Sequence, residues 1–299
     1  MAKVLVVGSA NTDMVVQTSR FPEPGETLLG GAFHMFPGGK GANQAVAAAR
    51  MGASVTFVCA LGDDLFGRNA LEGYSREGIN TSWVQTLEGM ASGVALITVN
   101  ASGENEIVVA PGANSGLTPA HLEGPLTQKS DWGVALTQLE TPLEVVAFLA
   151  KSTRASGVPL ILNPAPAAPL PDSILEGLYC ITPNQTEAAA LTGLTAREAG
   201  QAKAAAAALM AKGVRNVVIT LGKEGCYYSG EDGAYHLPSE KVTAVDTTAA
   251  GDVFNGVLAA GTAEALPWKE RLQRANRAAA LSVSRLGAQS SAPFKNEIL

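Results

Sequence analysis

Val4-Leu5-Val6-Val7-Gly8 is a short apolar run that ends in glycine, a pattern typical of a buried β-strand. A helical pattern follows over residues 41–50, then a second apolar run over 55–59 and a second helical pattern over 65–77. Strands that alternate with helices in this way usually pair in parallel, with helices on both faces of the sheet. The sequence therefore predicts an α/β fold built on a doubly wound, mainly parallel sheet.

The same alternation resumes in the second half of the chain. Apolar runs predict strands over residues 134–136, 160–162, 179–181 and 217–220. Helical patterns separate them and predict helices over 142–156, 186–191 and 197–211. No internal repeat or long linker interrupts the pattern, so we expect residues 1–299 to form a single α/β domain.

Two segments break this rhythm because they are strand-like without intervening helices. They cover about residues 11–36 and 94–110, and Asn100-Ala101-Ser102-Gly103 in the second segment is a typical hairpin turn. Together they predict a small β-sheet separate from the main one. A small sheet with one apolar face needs a cover, so we expect a lid over the active site, a homodimer contact, or both. The alternative is that these strands extend the edge of the main sheet.

Composition limits the classes of function. The 299 residues are 46% hydrophobic with a formal net charge of −6, and no run of basic residues suggests binding to nucleic acid or to an anionic membrane. The first residues lack the pattern of a signal peptide, and no apolar run is long enough to span a membrane. Cys59, Cys180 and Cys226 are odd in number and lie in apolar surroundings, which favours reduced thiols and a cytoplasmic protein.

The segment Asp246-Thr247-Thr248-Ala249-Ala250-Gly251-Asp252 places one acid after small residues, at the start of an apolar helical pattern. Small residues let backbone N–H groups approach a ligand, and a helix N-terminus attracts anions. An acid beside a bound phosphate is suited to accept a proton from an attacking hydroxyl. The pattern therefore favours phosphoryl transfer with Asp252 as base. A helix-stabilising acid is the alternative.

Polar residues also follow the glycine-rich and strand segments. Lys40 and Asn43 lie in Gly38-Gly39-Lys40-Gly41-Ala42-Asn43, which lacks the Ser or Thr of a Walker A loop. Asn11, Asp13 and Glu140 follow predicted strands, where an open α/β sheet binds ligands, so they are candidates to bind polyol hydroxyls. Turn capping, or a plain glycine-rich turn into a helix, is the alternative for each of them.

Three further groups could contact a nucleotide. Asn184 could face a phosphate or its metal, Glu187 could hold Mg²⁺ through water, and the turn over residues 222–225 could approach a nucleotide. The residues needed for other chemistries are missing: the chain has no His-Glu-x-x-His, no Gly-x-Ser-x-Gly and no Gly-x-Gly-x-x-Gly after the first strand.

In their order along the whole chain, these motifs resemble those of the phosphofructokinase-B-type carbohydrate kinases. The resemblance also includes Asn163-Pro164-Ala165-Pro166 and Thr182-Pro183-Asn184-Gln185-Thr186-Glu187. It implies ATP as phosphoryl donor, Mg²⁺ with the nucleotide and K⁺ as activator. The fullest matches are to members that act on ribose, so the expected reaction converts D-ribose to D-ribose 5-phosphate. The alternatives are a kinase for deoxyribose, fructose or adenosine, and a non-catalytic sugar sensor.

The resemblance also implies roles for single residues. Asp252 is similar to the family's catalytic base, and the anion hole corresponds to Ala249, Ala250 and Gly251. The implied sugar-binding residues are Asn11, Asp13, Gly39, Lys40, Gly41, Asn43, Glu140 and Asp252. The implied nucleotide-binding residues are Asn184, Glu187, Thr220, Leu221, Gly222, Lys223, Glu224, Gly225, Gly251 and Asn276. The implied monovalent-cation loops contain Asp246, Thr248, Ser282, Arg285, Gly287 and Ser291.

Overall fold

The computed structural model describes residues 2–127, 131–196 and 198–298. Its strands are β1 (Lys3–Val7), β2 (Asn11–Gln17), β3 (Phe33–Gly38), β4 (Ser54–Val58), β5 (Ala60–Gly62), β6 (Gln85–Leu87), β7 (Gly93–Val99), β8 (Asn105–Ala110), β9 (Val134–Thr137), β10 (Leu160–Leu162), β11 (Cys180–Ile181), β12 (Asn216–Thr220), β13 (Cys226–Gly230) and β14 (Gly233–Leu237). Its α-helices are α1 (Lys40–Arg50), α2 (Leu65–Arg76), α3 (Ala120–Thr127), α4 (Leu143–Ser156), α5 (Asp172–Leu175), α6 (Gln185–Thr192), α7 (Ala199–Ala211), α8 (Ala250–Ala263), α9 (Trp268–Ser282) and α10 (Lys295–Ile298).

The main sheet has eight strands in the order β14-β13-β12-β11-β10-β9-β1-β4. The six strands from β12 to β4 pair in parallel, and β13 and β14 add an antiparallel edge. The doubly wound, mainly parallel sheet predicted from the alternation is therefore confirmed. The sequence interpretation missed the β13–β14 hairpin, whose turn contains Asp232-Gly233, an ordinary hairpin signal.

Side-chain alternation along the strands divides the core between the two faces of the main sheet. In β1, Val4 and Val6 belong to one apolar cluster, while Leu5 and Val7 belong to the other. The first cluster also contains the buried side chains of α1, α8 and α9, and the second contains those of α4 and α7. Helices on both faces thus explain why these strands are apolar throughout rather than alternating with polar residues.

The four strands β3-β2-β7-β8 form a separate sheet, which we call the small sheet. β7 and β8 make the predicted hairpin, and β2 lies parallel to β7 and antiparallel to β3. The alternative, in which these strands extend the main sheet, is wrong. The predicted strand-like segment of residues 11–36 is not a strand throughout, because β2 ends at Gln17 and β3 begins only at Phe33.

Close contact between α1 and α8 brings distant parts of the chain together. Gly256 lies within α8, and a Cβ there would stand 2.5 Å from the Gln44 carbonyl oxygen and 2.6 Å from the Ala47 Cβ. Only glycine therefore allows the two helices to approach this closely. Their contact carries the first turn of α1 to the first turn of α8, where the candidate site lies.

The other differences from the sequence predictions are shifts in boundaries and elements that were missed. The remaining predicted strand and helix boundaries lie within two residues of those observed, and Arg197, the predicted start of a helix, lies outside the described residues. The helices α3, α5, α9 and α10 and the β5–β6 pair were not predicted. In the described part of the chain, no helix is long and apolar enough to cross a bilayer.

Candidate active site

The candidate site lies at the carboxyl edge of the main sheet. Ser9 follows β1, Gln138 and Glu140 follow β9, Asn163 follows β10, and Thr182 follows β11. Because these strands are parallel, their carboxyl ends meet along the same edge, where open α/β sheets bind their ligands. The N-termini of α1 and α8 complete the site.

Asp252 lies in the first turn of α8, as the sequence predicted. Ala249 precedes the helix with a φ of 59°, a left-handed conformation that is unfavourable for alanine. Helix geometry leaves the N–H groups of Gly251 and Asp252 without acceptors inside the helix. No atom lies within 4 Å of a Cβ built on Gly251, so this N-terminus opens onto free space. An anion can therefore approach the predicted anion hole over residues 249–251.

The Asp252 carboxylate is buried and lies between two amides. Asn43 Nδ2 donates to Oδ2 and Gln44 Nε2 donates to Oδ1, each at 3.0 Å. The side chain of Asp252 is only 6% exposed, so its two oxygens are held in a fixed orientation. A carboxylate held by two neutral donors keeps its capacity to accept a proton, as a general base must.

Further buried amides extend from this carboxylate. Gln44 Nε2 also donates to Asn163 Oδ1 at 3.0 Å, and Gln138 Nε2 donates to Gln44 Oε1 at 2.6 Å. The three amide side chains are between 0 and 7% exposed. Sequence reasoning assigned no role to Gln44, Gln138 or Asn163. The available signal was a polar Gln44 inside a segment otherwise rich in alanine.

Glu140 lies beside the first turn of α1. Ser9 Oγ donates to Glu140 Oε2 at 2.5 Å, and the Lys40 backbone N–H donates to the same oxygen at 3.1 Å. Gly41 N–H donates in turn to Ser9 Oγ at 3.3 Å. Glu140 therefore accepts from the first N–H of α1 directly and from Ser9, and its other carboxylate oxygen, Oε1, has no hydrogen-bond partner among the described residues.

Asp13 is a residue of the small sheet that lies near the charged groups of the candidate site. It lies on β2 and feels the negative charges of Glu140 and Asp252. Burial, reinforced by these two carboxylates, raises the pKa of Asp13 to about 6 from 3.8, although Lys40 opposes the shift. The same surroundings raise the pKa of Lys40, chiefly through the charge of Asp252 and against its own burial. Lys40 is thus the cation among four acids, Asp252, Glu140, Glu187 and Asp13.

A glycine before α1 and the side chain of Asn114 allow β2 to pack closely against the main body of the domain. Gly39 has a φ of 89°, and a Cβ there would stand 2.6 Å from the Asn11 backbone nitrogen. Asn114, which the sequence interpretation did not consider, donates to Asn11 Oδ1 at 2.8 Å and accepts from Ala10 N–H at 2.9 Å. The Asn11 side chain is therefore fixed at the junction between the main and small sheets.

The predicted nucleotide-binding residues lie farther along the same edge. Asn184 caps α6 and forms a reciprocal capping box with Glu187, in which each side chain accepts from the other residue's backbone N–H. Burial raises the pKa of Glu187. The turn over residues 222–225 follows β12, with Thr220 bridged to Asn184. Asn276 reaches the neighbouring hairpin, where its Nδ2 donates to the Leu237 carbonyl oxygen at 3.3 Å.

The two predicted cation loops meet, as the sequence interpretation required. Asp246 Oδ1 accepts from the Thr248 N–H and Oδ2 accepts from the Gly287 N–H, both at 2.9 Å. Burial opposes ionisation of Asp246, but these hydrogen bonds outweigh it and lower its pKa. The buried hydroxyls of Ser282 and Ser291 each donate to a backbone carbonyl of their own turn, while Arg285 pairs with Glu297 at 2.5 Å. The structure therefore brings the six residues into one region.

A buried carboxylate at a helix N-terminus, close to amide, carboxylate and ammonium side chains, suits a phosphotransferase that acts on an alcohol group. The family model described as pfkB family carbohydrate kinase matches residues 1–295, and the chain belongs to that family. This agrees with the resemblance found in the motifs.

Individual relatives cover the whole chain. Ribokinase from Haemophilus influenzae is 42% identical over 100% of this chain and 98% of its own length. Deoxyribokinase from Salmonella typhi is 36% identical over 97% of this chain and 95% of its own. The structure of Arabidopsis thaliana ribokinase complexed with ribose and ATP superposes with a TM-score of 0.93 at 31% identity, covering 99% of this chain and 97% of that one.

Proposed function

We propose that this carbohydrate kinase transfers the γ-phosphoryl group of ATP to the 5-hydroxyl of D-ribose, giving D-ribose 5-phosphate. The observation that carries the proposal is the position of Asp252, buried at the open N-terminus of α8 and held by Asn43 and Gln44. The ribokinase relatives support ribose as the sugar. The intact base also argues against a non-catalytic sugar sensor.

In this reaction Asp252 accepts the proton of the attacking hydroxyl, so the oxygen becomes nucleophilic as it approaches phosphorus. The N–H groups at the start of α8 stabilise the negative charge on the transferred phosphoryl group. Asn43 has an additional capacity, because its Oδ1 is buried and has no hydrogen-bond partner among the described residues. A sugar hydroxyl can donate to that oxygen while Asn43 Nδ2 holds the base.

The other sugar-binding assignments follow from charge and position. Asp13 and Glu140 supply carboxylate oxygens that accept from hydroxyls, and Lys40 supplies a donor between them. Asp13 and Asn11 lie on the small sheet, whereas Glu140 and Lys40 lie on the main body of the domain. A sugar bound between them closes the small sheet over the site, so we assign that sheet as a lid.

Mg²⁺ fits the nucleotide-binding part of the site only if it binds together with the nucleotide phosphates. In the described ranges, no three His, Cys, Asp or Glu side chains are grouped to hold a metal ion. Mg²⁺ keeps several waters and binds largely through substrate phosphates in such sites. Glu187 and Asn184 would hold it through water, and it would neutralise charge on the transferred phosphoryl group.

A monovalent cation fits the loops around Asp246. One ionised carboxylate among backbone carbonyls and hydroxyls supplies hard oxygen ligands with a single negative charge, which suits K⁺ better than a divalent ion. The implied ligands are Asp246, Thr248, Ser282, Arg285, Gly287 and Ser291. Asp246 lies three residues before Ala249, so the cation would order the turn that forms the anion hole.

The outer face of the small sheet supports a homodimer. Side chains alternate along β2, so Met14 faces away from Asp13. The strand register places Met35 and Leu96 on either side of Met14 and Val108 beyond Leu96, and Met35, Leu96 and Val108 are each more than half exposed. An apolar strip of this length is a typical protein interface. The free, buried thiols of Cys59, Cys180 and Cys226 support a cytoplasmic location.

A coupled assay for ADP release over a panel of sugars tests the proposed function. We expect D-ribose to give the highest kcat/KM, above 2-deoxy-D-ribose, D-fructose and adenosine. The product should be identified by mass and by its resistance to further phosphorylation at the 5-position. Preference for 2-deoxyribose would assign the chain to the activity of its deoxyribokinase relative, and ADP release independent of any sugar would contradict the proposal.

A further inference from the structure

The side-chain amides of Gln44 and Gln138 are buried and hydrogen-bonded to each other, and Gln44 also contacts the Asp252 carboxylate. Gln138 Nε2 donates to Gln44 Oε1, and Gln44 Nε2 donates to both Asp252 Oδ1 and Asn163 Oδ1. The glutamines are at most 1% exposed, and Gln138 makes no hydrogen bond to Asp252 among those of the described residues. The hydrogen bonds of the described residues therefore link Gln138 to Asp252 by way of Gln44.

We propose that Gln44 is a positioning residue for the base, and that the bond from Gln138 supports the one orientation of the Gln44 amide that donates to Asp252. This goes beyond the sugar and nucleotide contacts of the proposed function but rests on it, because Asp252 is the base of that reaction. Gln44 and Gln138 touch neither substrate in this proposal; they act by fixing a carboxylate.

The chemistry of the amide makes orientation decisive. A glutamine side chain has an oxygen that only accepts and a nitrogen that only donates. With the nitrogen toward Asp252, the carboxylate gains a donor. With the oxygen toward Asp252, two acceptors would face each other in a buried site, where such contacts are costly. The bond from Gln138 to Gln44 Oε1 can form only in the first orientation.

The surrounding contacts make the orientation unique. Asn163 Nδ2 donates to the Thr182 carbonyl oxygen at 3.2 Å, so its Oδ1 must face Gln44 and accept. Gln44 thus meets an acceptor in Asn163, an acceptor in Asp252 and a donor in Gln138. Only one placement of its oxygen and nitrogen satisfies all three, and a hydrocarbon side chain of the same size would satisfy none.

Asn43 alone does not fix the carboxylate in the same way. Its bond reaches only Oδ2, and its own oxygen is left for the substrate. Gln44 holds the other oxygen, Oδ1, so the two donors together prevent rotation of the carboxylate about its bond to Cβ. Loss of the Gln44 donor should therefore lower kcat more than it raises KM for ribose.

The direct test is Gln44→Glu, which keeps the size and the acceptor for Gln138 but removes the donor to Asp252. We expect kcat to fall about ten- to a hundredfold, the typical value of a hydrogen bond to a charged group, with KM for ribose changed much less. The acid limb of the kcat profile should move to higher pH by about one unit, because a second carboxylate nearby makes protonation easier. Gln44→Met should lower kcat and move the acid limb in the same direction.

The orientation of the Gln44 amide is tested at Gln138, which donates to Gln44 but makes no hydrogen bond to Asp252 among the described residues. Gln138→Glu replaces the donor by an acceptor, which favours a flipped Gln44 with its oxygen toward Asp252. Gln138→Met only removes the donor and leaves Asp252 and Asn163 to hold Gln44. We expect Gln138→Glu to resemble Gln44→Glu in kcat and pH profile, and Gln138→Met to lie near the wild type.

Asn216→Ser is the matched control for loss of a buried amide. Asn216 is fully buried, donates to the Tyr179 carbonyl oxygen at 3.0 Å and accepts from Tyr228 at 2.8 Å. It lies at the opposite end of β12 from Thr220 and the candidate site. This variant should lose thermal stability but keep the wild-type acid limb.

The outcomes separate this proposal from the proposed function. If the wild type converts ribose and all the Gln44 and Gln138 variants keep its acid limb, the positioning proposal is wrong and the proposed function stands. Equal effects of Gln138→Glu and Gln138→Met would also overturn it, since orientation would then have no role. A wild type without ribose-dependent ADP release contradicts both proposals.

Discussion

Asn43 Nδ2 donates to Asp252 Oδ2 at 3.0 Å and joins residues 209 positions apart in the sequence. A residue predicted only to bind sugar thus also contacts the predicted base. The proposed sugar contact and the orientation of the base therefore depend on one side chain, so truncation of Asn43 should change both kcat and KM.

Replacement of Asp252 by Asn removes the base and nearly keeps its shape. We expect kcat to fall by about 10² to 10⁴, the usual contribution of general-base catalysis, while ribose binding measured by calorimetry changes little. Circular dichroism should show a folded protein, although the new amide must face the donor of Asn43 or Gln44. Near-normal turnover would remove Asp252 from its assigned role.

Asp13 should give ribose binding a pH dependence. With its pKa raised to about 6, Asp13 is ionised at pH 7.5 and becomes protonated as the pH falls through 6. KM for ribose should rise over that interval, because a protonated carboxyl accepts hydrogen bonds from hydroxyls less well. Asp13→Asn should have a high KM that does not change between pH 5 and 7, measured with ATP saturating.

The same residue should lower stability in the absence of substrate. The pKa of Asp13 is higher in the folded chain than in the unfolded chain, so ionisation destabilises the fold as the pH rises from about 4 through 6. The melting temperature of Asp13→Asn without substrates should therefore equal or exceed that of the wild type at pH 7.5, and the gain should disappear near pH 4. A lower melting temperature at pH 7.5 would show that Asp13 makes stabilising contacts.

Activity should depend on the monovalent cation through Asp246. Exchange of K⁺ for Na⁺ or a bulky organic cation, at constant Mg²⁺ and ATP, should lower kcat because the turn before α8 loses order. Asp246→Ala should be less active and should no longer respond to the exchange. Asp63→Ala, which removes an exposed carboxylate paired with Arg68, serves as the control for charge and should keep the wild-type response. Equal activity in all cations would contradict the cation site.

The small sheet should carry the dimer contact. Leu96→Lys places a charge in the middle of its exposed apolar strip, so light scattering at micromolar concentration should show a dimer for the wild type and a monomer for this variant. Leu143→Lys changes another exposed leucine, on α4, and should remain dimeric. A monomeric wild type would reject the homodimer.

Arg50 should contribute strongly to stability. At the end of α1 it pairs with Glu77 at 2.6 Å and donates to the carbonyl oxygens of Gln289 and Ala292, with a side chain that is 12% exposed. Arg50→Ala leaves these partners unsatisfied and should lower the free energy of unfolding by about 3 kcal/mol. Arg68→Ala breaks an exposed pair with Asp63 and should cost less than about 1 kcal/mol in urea unfolding.

The sequence predicted the six parallel strands of the main sheet because elements such as β1 and α1 have patterns that depend only on local burial. The position of Asp252 was equally readable, since small residues followed by an acid before an apolar helix are a local signal. The β5–β6 pair was missed because three-residue strands are too short to show a period.

The amides behind the base could not be predicted for a different reason. Gln44, Gln138 and Asn163 are far apart in the sequence, and their importance arises only when the fold buries them in one hydrogen-bonded group that reaches Asp252 through Gln44. A polar residue in an apolar segment signals that some partner exists, but it does not name the partner. Asn114 was missed for the same reason, because its contacts with Ala10 and Asn11 span about 100 positions.

The close approach of α1 and α8 at Gly256 also sets a rule for engineering a more heat-resistant form of the chain. Replacing helical glycines by alanine commonly adds about 0.5 to 1 kcal/mol of stability, and Gly73 in α2 is open to this change because no atom lies within 4 Å of a new Cβ. At Gly256 the same substitution would drive the helices apart and move Asn43 and Gln44 away from Asp252. Replacement of every helical glycine by alanine would thus stabilise α2 at Gly73 but disrupt the candidate site at Gly256. The space around each glycine decides which of these effects a replacement has.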